Sequence, residues 1–145
     1  MHRRRRSGEQ FNLNWLALLG LLIALFGLGY NTYRNETTES QRNTRQAAFL
    51  ALEALGELQQ LADTRFFGND TSEINRIAIW GKVIVIRDFT TLVSPAAQQG
   101  GRSLFEIWST QAEAFDAGDR DAERQLADAI RELRSTVMED IRRLR

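Results

Sequence analysis

The chain has 145 residues, in which 19 Lys and Arg balance 19 Asp and Glu, with one histidine and no cysteine. The missing cysteine excludes disulfides, thiol nucleophiles and cysteine-type zinc sites. A lone His2 in a basic tail leaves no imidazole for a triad, a general base or a metal cluster. Of the 19 basic residues only Lys82 is lysine, a bias that points to GC-rich coding and a bacterial source.

Residues 1–10 form a basic tail with arginines at 3–6, expected to lie in the cytoplasm. Residues 11–33 carry no charge, and 15–29 hold seven leucines, one isoleucine and one phenylalanine without a polar side chain. A helix of roughly 20 apolar residues spans the roughly 30 Å of hydrocarbon in a bilayer. On an insertion scale these side chains contribute about −0.3 to −0.6 kcal/mol each, so the sum favours a membrane helix by several kcal/mol. Trp15 at one end and Tyr30 and Tyr33 at the other occupy interfacial-belt positions, and the arginine asymmetry keeps the tail inside. A cleaved signal fits less well: the apolar run exceeds a signal core, and no small-x-small site follows it. The expected location is the bacterial inner membrane, single-pass, with the C-terminal domain in the periplasm or outside. On one face of the span Gly20, Ala24 and Gly27 permit close helix approach in the small-xxx-small manner.

Residues 34–46 are a polar neck rich in Thr, Ser and Asn. Positions 30, 33, 37, 40, 44, 47, 51, 54, 58 and 61 continue a three-four alternation from the membrane and are all uncharged. This heptad phase predicts one continuous helix, with any coiled coil through the Thr and Ser of the neck being weak.

From 47 to 145 the pattern predicts a helical bundle domain. Ala47, Leu50, Ala51, Ala54, Leu55, Leu58, Leu61 and Ala62 share a helical face, with Glu53, Glu57, Gln60 and Thr64 opposite. Gly68 is placed as a left-handed C′ residue, and Asp70 with Glu73 as a capping box for the next helix. That element, 74–93, is apolar nearly all round. Its length favours helix over strand, and Ile74, Ile77, Ala78, Gly81, Val85, Phe89 and Leu92 share a face, so it should be the most buried helix or meet a partner. Ser94-Pro95 opens a short turn that Gly100-Gly101 closes, and Ser103 with Glu106 caps a third helix through Phe115, carrying Leu104 and Trp108. A last helix runs from about Asp119 with Leu126, Ile130, Leu133, Val137, Ile141 and Leu144 in a stripe; acids begin it and arginines end it, matching the helix dipole.

The expected fold is therefore all-α: one N-terminal transmembrane helix continuing into an up-and-down bundle of about four helices. At outline level this resembles the sensory portions of bacterial chemoreceptors, although no motif matches residue by residue.

Chemistry is sparse. Asp116, Asp119, Asp121 and Glu123 lack the ligand alternation of an EF-hand and read as caps and dipole partners. Asn35-Glu36-Thr37 and Asn69-Asp70-Thr71 match the glycosylation sequon, which matters only in a eukaryotic secretory setting. Phe66, Phe67, Trp80 and Trp108 are candidates for a partner surface or small-molecule pocket, with core packing as the simpler role. No cofactor is expected. Residues 31–145 hold 15 basic and 18 acidic groups, so nucleic acid is not an expected partner. The sequence predicts a non-enzymatic, membrane-anchored accessory or scaffold protein whose partners are the lipid bilayer and either another protein or its own copies. A membrane-tethered ligand-binding module is the alternative.

Overall fold

The computed structural model describes the backbone of residues 6–144 and the side chains of 19–32, 34 and 39–144. These residues form four helices: α1 (Arg6–Phe66), α2 (Glu73–Thr90), α3 (Pro95–Asp116) and α4 (Arg120–Arg143). No strand occurs among the described residues, as expected for an all-α chain.

The chain divides into two units, Met1–Ser40 and Gln41–Arg145. In the first, α1 is a single helix on which every described side chain from 19 to 32 is exposed, including Leu21, Leu25, Phe26 and Leu28. Among the described residues no helix is long and apolar enough to cross a membrane. The expected span at 11–33 lies partly outside them, because the side chains of 11–18 and 33 are not described. The helix runs unbroken through 34–46 despite the weak formers there.

The second unit is the bundle. Asn75 Nδ2 donates to the Leu61 carbonyl oxygen at 3.3 Å, and Lys82 pairs with Glu57, so α2 runs antiparallel to the end of α1. Trp80 against Phe105 and Gly101 against Arg87 and Thr90 set α3 antiparallel to α2. Ser94 Oγ donates to Asp140 Oδ2 at 2.5 Å while Gly100 touches Leu133, which sets α4 antiparallel to α3. Arg45 Nη2 donates to the Leu144 carbonyl oxygen at 2.8 Å, closing the ring from α4 back to α1.

The predicted stripes fill the centre. Ala47, Ala51, Ala54, Leu55, Leu58 and Ala62 of α1 are buried, as are Leu126, Ile130, Leu133 and Val137 of α4 and Leu104 and Trp108 of α3. Leu50, expected on the α1 stripe, is instead exposed, while Leu61 stays partly open at its edge, as do Ile141 and Leu144 at the end of α4.

Four details differ from expectation. Gly68 is not left-handed; Asn69 takes that conformation with φ 52°. Gly68 is instead required by closeness, because a Cβ there overlaps the Thr64 carbonyl oxygen. The cap of α2 is Ser72, whose Oγ accepts from Asn75 N, while Asp70 Oδ1 accepts from Ser72 N one turn earlier. Gly100-Gly101 closes no turn. The helix capped by Ser94 continues through both glycines to Asp116, and the expected cap at Ser103 lies inside it.

The fourth difference concerns burial. α2 is helical as expected, but the buried face is Asn75, Ile79, Val83, Ile86 and Thr90, and the opposite face looks outward. In a four-helix bundle each helix has one interior side. A helix apolar all round must leave the other side open, so α2 is not the most buried element.

Candidate functional site

The aromatic residues singled out by sequence form one packed ladder. Trp80 meets Trp108 at 6.2 Å between ring centroids and Phe105 at 6.0 Å, both edge-to-face. Trp108 meets Phe115 at 5.5 Å, Phe115 meets Phe66 at 5.1 Å, and Phe66 meets Phe67 at 5.1 Å. These are the separations at which aromatic quadrupoles favour tilted contact. Trp108 is only 1% exposed, Trp80 and Phe66 are half-buried, and Phe67 is exposed beneath the Arg120 guanidinium, 5.7 Å from its ring.

Two polar atoms end buried without a partner in this region, Trp108 Nε1 and Asn75 Oδ1. Asn75 still anchors α2 through its Nδ2 bond to α1. The indole N–H belongs to a ring whose volume the core needs.

Arg65 organises the far end of the bundle, and sequence reasoning missed it. Its Nε and Nη2 donate to the two Asp116 carboxylate oxygens at 2.5 and 2.8 Å, and Nη1 donates to the carbonyls of Asp70 and Ser72 at 3.2 and 3.1 Å. The hydrogen bond to Asp116 is the main reason the Arg65 pKa is raised above its ordinary value. Nearby, bonds from the Ser72 side chain and amide, with Arg65 adding charge, hold the Asp70 carboxyl below the usual carboxylate range. The only signal available from sequence was a basic residue in the last turn of α1.

The acidic loop is occupied by structural work. Asp116 binds Arg65, Asp119 Oδ1 accepts from the amides of Asp121 and Ala122, and Asp121 pairs with Arg124 at 3.1 Å. Among the described residues no cluster of His, Cys, Asp or Glu is arranged to hold a metal ion.

Two surfaces remain. An open groove of about 450 Å³ runs between α3 and α4, bordered by Gln99, Ser103, Ile107, Gln125, Glu132 and Thr136. Its lining mixes these with the apolar Ala96, Ala129 and Leu133 and the acidic Asp128. The outer face of α2 is the apolar one, with Ile74 81% and Ile77 62% exposed, flanked by Ile84 and Val85, and Leu92, 62% exposed, follows in the turn beyond the helix. Gly81 lies in its middle with open space where a Cβ would stand. Gly20, Ala24 and Gly27 lie on the exposed part of α1 in the first unit, with the same open space at both glycines.

Compared with family models, curated proteins and solved structures, the chain finds no match.

Proposed function

We propose that this chain is a non-enzymatic, single-pass membrane protein whose helical bundle serves as an accessory or scaffold unit, docking on an envelope complex or on copies of itself. The observation that carries the reading is the outward apolar side of α2, which leaves large aliphatic residues in water on a bundle whose interior is already filled. Contiguous exposed apolar surface of this kind marks interaction sites in soluble domains. The anchor is supported by the uncharged run at 11–33, by the four arginines before it, and by the exposed leucines of α1 from residue 19 onward. In the acidic loop, Asp116 is held by its ion pair with Arg65 and Asp119 by the capping of α4.

The test uses the absence of cysteine. Ser135 is exposed on α4, so Ser135→Cys supplies a single reporter for a membrane-impermeant maleimide that crosses any outer membrane. Labelling in intact cells is the expected result and puts the bundle outside the cytoplasmic membrane with the tail inside. Labelling only after lysis overturns that topology. A complex heavier than the chain in mild detergent is the matching expectation for the scaffold role.

The groove between α3 and α4 favours a second reading, a tethered ligand-binding module, because its volume falls within the roughly 300–1,000 Å³ of small-molecule sites. Thermal shift of the protein against a metabolite panel tests it, and silence across the panel removes it.

A further inference from the structure

We infer that the seam between α1 and α4 is a docking strip for an acidic amphipathic helix of a partner protein. The inference deepens the scaffold reading above, on which it rests, by giving the chemistry of what docks.

On α1, Arg42, Arg45, Phe49 and Gly56 recur at three-, four- and seven-residue steps, and on α4 Arg134, Met138 and Arg142 recur at four, so each set follows one side of its helix. The bond from Arg45 to the Leu144 carbonyl registers the two rows side by side. Phe49, four residues on from Arg45, comes level with residue 140, between Met138 and Arg142. Arg134, ten before Leu144, comes level with residue 55, beside Gly56. The four arginines, Phe49 and Met138 are all exposed. From Arg42 to Gly56 the strip is about 20 Å long. Arginines stand at both ends, with an aromatic ring and a thioether between them.

Charge chooses the occupant. Elsewhere on the bundle arginines are tied to carboxylates: Arg65 to Asp116, Arg76 to Glu73, Arg87 to Asp88 and Arg143 to Glu139. Among the described residues Arg42, Arg45, Arg134 and Arg142 form no ion pair. Four cations in one strip repel one another until an anion lies among them. Carboxylates suit them, because a guanidinium fork holds both oxygens at once. Phe49 and Met138 supply the apolar anchors that meet the stripe of an amphipathic helix. Gly56 has open space where a Cβ would stand, so the visiting backbone can come close.

Width rules against the other anions. Glu53 is exposed on the outer flank of α1, and Asp63 and Glu123 follow further along the same seam. A bilayer surface or a nucleic-acid duplex lies across both helices and meets these acids as well as the arginines. A single helix, about 10 Å across, covers the strip alone. Copies of this chain anchored in one membrane stand the same way up, which sets arginine against arginine.

The experiment is fluorescence anisotropy on the full-length protein in mild detergent. The probe is a labelled synthetic helix with leucines at i, i+3, i+4 and i+7 and glutamates on both flanks. Saturable binding is expected. Arg134→Glu combined with Arg142→Glu, and separately glutamine in place of the probe's glutamates, should each weaken it about tenfold or more. Phe49→Ser should weaken it too, whereas Ile77→Ser on the outer face of α2 should not. All four positions are exposed, so circular dichroism should show unchanged helicity. No binding, or equal binding by the doubly substituted chain, overturns the inference. So does displacement of the probe by phosphatidylglycerol mixed micelles or duplex DNA at lower concentration than by unlabelled probe peptide. A wild-type chain that still travels in a heavy complex then leaves the scaffold reading standing on another surface. A chain that binds no probe and stays monomeric overturns both.

Discussion

Arg65, in the last turn of α1, grips Asp116, the last residue of α3, with two parallel hydrogen bonds, and the same guanidinium holds the Asp70 and Ser72 carbonyls of the connection into α2. One side chain thus fixes the ends of two helices and the loop between α1 and α2. Replacing it with alanine is expected to cost about 2 kcal/mol, since hydrogen bonds to charged groups contribute about 1.5–3 kcal/mol and this site is only partly shielded. Arg65→Lys keeps the charge but loses the planar fork, and should recover less than half of that loss. Urea unfolding followed by circular dichroism measures both; a lysine variant as stable as wild type shows that charge alone suffices.

The same corner sets an acid response. The folded pKa of Asp70 is depressed by the Ser72 bonds and by Arg65, so its carboxylate favours the folded state above the ordinary value of about 3.9, and that contribution disappears as pH falls through the depressed value. Thermal melts taken from pH 7 down to about pH 2 should show wild type losing Tm more steeply below about pH 4 than Asp70→Asn. Parallel curves for the two proteins refute the depressed pKa.

Two glycines with contrasting surroundings make a paired test. A Cβ on Gly101 runs into Thr90 Oγ1 and comes within 3.3 Å of the Arg87 Cα, so Gly101→Ala pries α3 from α2 and should destabilise by about 1–3 kcal/mol. Gly56 sits in α1 with nothing within 4 Å of that position. Gly56→Ala should therefore stabilise by about 0.5–1 kcal/mol through helix propensity alone. Opposite signs in one denaturation series are the expected outcome, and equal signs contradict the packing described.

Ser94 does two things at the start of α3. Its Oγ accepts from Ala97 N at 3.0 Å and donates to Asp140 Oδ2 on α4. Ser94→Ala removes the cap and leaves the Asp140 carboxylate without that donor, an expected cost of about 1–2 kcal/mol. Ser94→Asp keeps a capping oxygen but sets it against Asp140, so it should rescue poorly at neutral pH. A full rescue in thermal melts argues against the link to α4.

The core offers a last comparison at Trp108. Truncation to alanine opens the centre of the aromatic ladder and should cost about 3–5 kcal/mol. Trp108→Phe loses part of the ring but also removes a buried N–H that has no partner, so its cost should fall well below that of alanine. Equal losses for the two variants mean that the N–H has found an acceptor.

Much of this architecture is legible in the residues. The stripe of Leu126, Ile130, Leu133 and Val137 marks the inner face of α4 unambiguously because charges surround it, and the alanine-rich face of α1 is readable in the same way. α2 resists such reading. With Ile or Val on nearly every side, periodicity finds a face of Ile74, Ile77, Gly81 and Val85 without saying whether it points in or out. The answer comes from neighbours distant in sequence, Leu61 bonding Asn75 and Gly101 receiving Thr90. The glycine pair at 100–101 misleads for a related reason. Each glycine costs a helix about 1 kcal/mol relative to alanine, and here the close approach of α2 requires Gly101, while Gly100 faces the flexible end of Leu133. Arg65 was invisible as a clamp because its partner lies 51 residues away.

The edge-to-face contact of Trp80 and Trp108 has an optical consequence. Two indoles 6.2 Å apart on different helices couple their transitions, so light absorbed by one is shared with the other before it is emitted. The near-ultraviolet dichroism of the folded chain should carry the paired positive and negative lobes of such coupling. Those lobes vanish when α2 separates from α3 even if both remain helical, which gives the bundle an internal gauge of that one interface without any added label.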